Sequence, residues 1–154
     1  MIKKFFVLML AVAAISVSLV SCSKEKGNEN GNNNSGNELS YIETLLALPE
    51  GLSEDADHIY VKLTMNGEYP GYGNETVEVM TFTFDNNHCT KAISDLIFET
   101  EEYASAYYEY MLADEDYGAE ELDLITKNGR ILTADMTILF AGATREDIKT
   151  IFEY

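Results

Sequence analysis

From His58 to Asn66 apolar and polar residues alternate without a break. Ile59, Val61, Leu63 and Met65 fall on one side, and Tyr60, Lys62 and Thr64 on the other. Successive side chains of a strand point to opposite faces, so this period of two describes a half-buried strand. The pattern returns from Glu75 to Asp85, where Val77 and Val79 oppose Met80, Phe82 and Phe84. Between the two runs, Asn66 to Asn74 holds Asn-Gly, Pro-Gly and Tyr-Gly pairs, the chemistry of a long hairpin loop. Two half-buried strands joined this way are antiparallel, and an antiparallel sheet needs further strands and helices to cover its apolar side.

The rest of the chain supplies them. Asn86-Asn87 suits a tight turn into a third strand, His88 to Glu99, and Thr100 can cap a helix running to about Ala113, with Glu101 and Glu102 at the positive end of its dipole. Asp114 to Glu120 reads as an acidic loop and Glu121 to Lys127 as a fourth strand. Asn128-Gly129 gives the strongest hairpin signal, because both residues tolerate positive φ. The fifth strand is expected from Arg130 to Phe140, with Leu132, Ala134, Met136, Ile138 and Phe140 on one face. Gly142 ends it, Thr144 to Asp147 opens a C-terminal helix, and a short helix from Tyr41 to Leu48 precedes the sheet. The expected fold is α+β: an antiparallel sheet of about five strands with helices packed on one face, in the order α-β-β-β-α-β-β-α.

This domain should span residues 39–154. It carries 24 acidic and six basic residues, a net charge of −18. Such a balance excludes a nucleic-acid partner, because phosphate contacts need clustered Lys and Arg. It favours solubility and cationic partners. Ahead of the domain, residues 22–38 form a tether. From Gly27 to Asn37 the chain is almost wholly Gly, Asn, Glu and Ser, which cannot bury apolar area. As a flexible coil that stretch reaches roughly 20 Å.

Residues 1–21 read as an address. Lys3 and Lys4 precede an apolar run from Phe5 to Val20, the n-region and h-region of a secretory signal. At 16 residues the run falls short of the ~20 needed to span a bilayer. It ends in Leu19-Val20-Ser21-Cys22, which resembles the lipobox of bacterial lipoproteins. The resemblance implies lipidation of the Cys22 sulfur, with Cys22 becoming the mature N-terminus and the membrane met through lipid only. Ser23 stands where an Asp resembles an inner-membrane retention signal, so the outer membrane of the cell envelope is favoured. Lys24-Glu25-Lys26 loosely resembles the charged export tag of Bacteroidetes lipoproteins.

Four features of the domain, Phe82-Thr83-Phe84-Asp85-Asn86, the helix after Thr100, the turn Lys127-Asn128-Gly129-Arg130, and Gly142-Ala143-Thr144-Arg145-Glu146-Asp147-Ile148-Lys149, together resemble small Bacteroidetes lipoproteins of unknown function. The resemblance brings no catalytic motif and no activity.

The residues that could do chemistry read as structural. Cys89 is the one thiol left once Cys22 carries lipid, and its neighbour His88 points to the opposite side of a strand, so it is no base for it. Cys89 reads as a small buried apolar residue. His58 and His88 are the only histidines, and no HxH, HxxxH or CxxC spacing offers a metal site. Asp114-x-Asp116-x-Gly118 opens like a calcium loop. It then fails, with Gly118 at a ligand position, Ala119 in place of the required glycine and Ile125 at the twelfth position. The carboxylates are too many for any pair to be singled out as glycosidase-like. No catalytic residue, metal or cofactor is expected.

Ten tyrosines are the second unusual feature. Tyr103, Tyr107 and Tyr110 follow helical spacing, with Tyr108 on the adjoining face, and one of these stripes should cover the sheet. Tyr69 and Tyr72 sit instead in the Gly-rich loop, where no core is expected, and are the candidate binding residues. Three functions follow as expectations. The first is a non-catalytic envelope lipoprotein that binds a protein partner, a cationic one and in an inhibitor-like manner. The alternative is a glycan-binding module of a surface uptake system, using Tyr69 and Tyr72 as stacking platforms. The third is an enzyme built on carboxylates, with or without calcium.

Overall fold

A computed structural model describes residues 35–67, 73–114 and 117–152, with backbone only for 35–39. Cys22, most of the tether, Tyr69, Tyr72, Glu115 and Asp116 lie outside the described residues. The described chain runs α1 (Ser35–Leu46), β1 (Gly51–Glu54), β2 (His58–Asn66), β3 (Glu75–Asp85), β4 (His88–Phe98), α2 (Glu101–Ala113), α3 (Ala119–Leu122), β5 (Ile125–Asn128), β6 (Ile131–Asp135), α4 (Thr137–Phe140) and α5 (Arg145–Phe152). The six strands form one antiparallel sheet in the order β1-β2-β3-β4-β6-β5. The fold is therefore α+β.

The register follows the alternation in the sequence. Ile59 pairs with Phe82 and Val61 with Met80, placing these four on one face. Asn86 and Asn87 make the tight turn between β3 and β4, at φ 48° and 67°. That is the left-handed backbone a twist-matched two-residue hairpin requires. A bulge follows at once: Thr83 pairs with Lys91 but Phe84 with Cys89, which leaves Thr90 as the extra residue. The extra residue turns Cys89 onto the same face as Phe84.

The two faces are covered differently. On the first face, α4 and α5 close one end, where Phe82, Phe84, Ala92, Met136, Phe140 and Ile148 pack together. The Phe82 ring meets the edge of Phe140 at 5.0 Å. At the other end, α2 lays Ala104, Tyr107 and Met111 on Leu96, Phe98, Ile125 and Leu132. The second face receives α1, whose Ile42 and Leu45 cover Val77, Val79, Ile97 and Ile131. Burying each such side chain contributes ~1.5–3 kcal/mol.

Five differences from the sequence reading have physical causes. The helices pack on both faces, because Val77, Val79, Ile97 and Ile131 give the second face an apolar patch of its own, and α1 fills it. The first helix begins at Ser35, ahead of the expected domain start at Leu39. A sixth strand, β1, is too short and too polar (Gly-Leu-Ser-Glu) to announce itself. The expected fourth strand from Glu121 starts only at Ile125, because Ala119–Leu122 forms a helical turn with the Glu121 carboxylate accepting the Gly118 N–H at 2.9 Å. The expected fifth strand stops at Asp135, whose carboxylate accepts the Thr137 N–H at 2.9 Å. The Thr137 hydroxyl oxygen then accepts the Ala92 N–H, and one helical turn follows before the chain rejoins β4, with Gly142 N–H donating to the Cys89 carbonyl. Met136 and Phe140 are both buried four residues apart, which suits a helical turn as well as it suits a strand.

Candidate functional site

The end of the molecule built around α2 gathers the acids and the tyrosines. Thr100 caps the helix, its hydroxyl oxygen accepting the Tyr103 N–H at 3.3 Å, and Glu101 and Glu102 occupy the first turn. Tyr107 turns inward onto Phe98, ring centroids 5.5 Å apart, while Tyr110 lies 6.2 Å from Tyr107 and donates its hydroxyl to Asp114 at 2.7 Å. Tyr103, Tyr108, Tyr110 and Tyr117 are half-buried around this core. The stripe that covers the sheet is thus Ala104, Tyr107 and Met111, with the other tyrosines as its rim.

The segment from Glu99 to Asp123 contains ten acids, five tyrosines and no Lys or Arg. Glu102, Glu109, Glu120 and Asp123 are exposed on it, as is Leu112 at 52%. Glu101 meets Lys127 at 3.3 Å. The loop that carries Tyr69 and Tyr72 is rooted here too. Its ends meet where the Gly67 N–H donates to the Asn74 carbonyl at 2.8 Å, and the Asn74 N–H donates to the Glu99 carboxylate at 3.3 Å. Gly73 is in the left-handed region at φ 108°. A Cβ there would come within 3.0 Å of the Glu99 carboxylate and 3.2 Å of the Tyr103 ring. The sequence reading treated the aromatic loop and the tyrosine helix separately; the structure brings the root of one beside the other.

The bases are spent elsewhere. Lys62 donates to the carbonyls of Leu46 and Leu48, closing the C-terminal end of α1. Arg130 donates to the Phe98 carbonyl and Lys149 to the Glu54 carboxylate at 2.8 Å. Arg145 lies over the Phe84 ring at 4.6 Å and reaches the carbonyls of Asp55, Ala56 and His58. Five of the domain's six bases therefore hold the fold together, and Lys91 is the exposed remainder.

The other candidate residues take structural roles. Cys89 is buried, its Sγ donates to the Lys91 carbonyl, and burial pushes its thiol up, away from the reactive thiolate. His88 is exposed and bonds through Nδ1 to the Gly142 carbonyl. His58 lies 3.0 Å from Asp55. The Asp55 carboxyl is pulled down to about 2, first by the Asp57 N–H it accepts and further by the N–H and ring of His58 and the Tyr60 hydroxyl. These bonds organise the β1–β2 turn. Among the described residues no three His, Cys, Asp or Glu side chains are grouped to hold a metal ion, and no helix is long and apolar enough to cross a membrane.

Two residues were not singled out from the sequence. Glu78 is buried on the first face and accepts the Ser94 hydroxyl at 2.7 Å; burial raises its carboxyl to about 6. Asp95 is buried on the second face, where it accepts the hydroxyls of Tyr41 and Thr133, both at 2.6 Å, and burial raises it as well. The signal was present: Glu78 has the parity of Met80 and Phe82, and Asp95 that of Ile97. No protein-family model, curated protein or solved structure matches this chain.

Proposed function

We propose that this chain is a non-catalytic lipoprotein of the cell envelope that binds a cationic protein partner, in an inhibitor-like manner, through its acidic, tyrosine-bearing surface. Lipid on Cys22 would hold it to the outer membrane, and the Gly/Asn-rich segment would let the domain stand away and turn. The observation that carries the reading is the division of charge. Five of the six bases are drawn into the fold, while the Glu99 to Asp123 segment has no base and exposes Glu102, Glu109, Glu120 and Asp123. Such a surface steers and selects a basic partner, and half-buried tyrosines beside it supply contact area at low entropic cost. The test is capture from an envelope extract on the immobilised full chain, at low and at high salt. A single protein of basic surface released by salt supports the reading. Failure to capture protein at either salt, together with retention on glycan arrays that is lost in Tyr69→Ala and Tyr72→Ala, contradicts it in favour of a glycan-binding module.

A further inference from the structure

Six large apolar side chains stand exposed among the described residues, and three of them lie along one edge of the sheet: Leu124 at 44%, Ile138 at 78% and Leu139 at 45%. The backbone brings all three to that edge. The outermost strand on that side is β5, and the Leu124 carbonyl just before it accepts the Asp135 N–H at 3.0 Å. The chain then leaves β6 at Asp135, makes the α4 turn that carries Ile138 and Leu139, and rejoins β4 at Cys89. The edge is thus formed first by β5 and then by the apolar turn.

Among the described residues, no backbone bond is made on the outer side of β5. Asn128 pairs with Ile131 across a two-residue turn, Thr126 with Thr133, and Leu124 bonds to Asp135. In an antiparallel pair the inward-bonding residues alternate with outward-facing ones, so Ile125 and Lys127 direct their N–H and C=O groups away from the sheet. On the opposite side the Glu50 carboxylate accepts both the Thr64 N–H at 2.6 Å and the Thr64 hydroxyl at 2.9 Å, which caps only the part of β2 that runs on past β1. What sets the β5 edge apart is its exposed apolar side chains, Leu124, Ile138 and Leu139, with Asp123 and Asp135 exposed beside them.

We propose that the β5 edge receives an extended, basic segment of a protein partner, which adds to the sheet beside β5. Its apolar side chains rest on Leu124, Ile138 and Leu139, and its Lys or Arg side chains face Asp123 and Asp135, both exposed at this edge. The occupant is basic because the surroundings are acidic; a second copy of a domain of charge −18 would meet repulsion here. Strand addition of this kind draws affinity from main-chain bonds and selectivity from alternate side chains. The proposal rests on the reading of a cationic protein partner and assigns that partner a segment and a place.

The test uses the isotope-labelled full chain in detergent and three synthetic peptides: alternating Lys and Val, alternating Glu and Val, and the Lys-Val peptide methylated on alternate backbone nitrogens. The Lys-Val peptide is expected to shift the amide signals of Ile125, Lys127 and Ile138, while the other two leave them unmoved. Lys127→Pro removes an outward N–H and the ion pair with Glu101 but no bond to β6. Lys127→Ala, which loses the ion pair alone, is its control and should bind the Lys-Val peptide like the wild type. Ile138→Lys places a like charge on the shelf. Lys127→Pro and Ile138→Lys are each expected to weaken the Lys-Val peptide by about tenfold or more. Shifts confined to α2, or equal binding of the methylated peptide, overturn the edge site and leave the cationic-partner reading standing. No binding of the Lys-Val peptide at low salt overturns both.

Discussion

Glu78 and Asp95 sit on adjacent central strands, face opposite sides of the sheet, and are held by hydroxyl groups in place of cations. A buried carboxyl whose folded-state value is raised favours the folded state while it is protonated. The Glu78 contribution is present below about pH 4.5 and is lost as pH rises through about 6. Asp95 acts in the same direction. Urea unfolding should therefore show a loss of about 2 kcal/mol between pH 4.5 and 7.5 from Glu78. Glu78→Gln should remove most of that slope; an unchanged slope would contradict the assignment. Arg145 is the opposite kind of residue, a cation used as a clamp between α5 and the β1–β2 turn. Its planar fork serves several carbonyls at once. Arg145→Ala should cost ~1–3 kcal/mol, and Arg145→Lys should recover little of it, because an ammonium cannot reproduce the fork. Equal unfolding midpoints for the Lys variant and the wild type would refute the clamp. Both buried acids were visible as parity in the strands. The clamp was not, because nothing near Arg145 in sequence says that residues 55–58 lie beneath it.

Among the elements, β2, β3 and α2 were legible because alternation, the Asn86-Asn87 turn and the Thr100 cap agree with one another. The segment from Asp135 to Gly142 was not, because its apolar spacing fits a strand and a helical turn alike. What decides it is the pair of side-chain bonds at Asp135 and Thr137, which replace the sheet ladder. The face taken by α1 was equally hidden, since the covering of Val77 and Ile97 depends on pairings far apart in the chain. The tie of α1 to the sheet is local: Ile42 and Leu45 as apolar contacts, Tyr41 on Asp95, and Lys62 at its last carbonyls. Tyr41→Phe should cost about 1–2 kcal/mol. Hydrogen exchange should quicken across α1 while β3 and β4 stay protected; uniform quickening would contradict a local latch. Gly73→Ala should disturb the junction of the aromatic loop with Tyr103, read as altered Tyr103 ring signals with the unfolding midpoint lowered. Unaltered signals would mean the backbone there tolerates a side chain.

For the whole molecule, charge is the governing quantity. Five of the six bases serve internal bonds while the domain carries a net charge of −18, so self-repulsion is built into the folded state and salt should relieve part of it. The unfolding midpoint should rise with added sodium chloride up to a few tenths molar, and a flat response would show that the acids are too far apart to matter. This division of charge was half legible: the sequence counts the acids, but which bases remain free is known only once their partners are placed. The measurement closest to the central claim is the affinity of the protein recovered from envelope extract, followed across salt for the wild type and for a variant carrying Glu102→Gln, Glu109→Gln, Glu120→Gln and Asp123→Asn. The account predicts that wild-type affinity falls roughly tenfold or more between about 50 and 300 mM salt, while the variant binds weakly at both and with a shallow slope. Equal affinities for the two proteins, unmoved by salt, would contradict it.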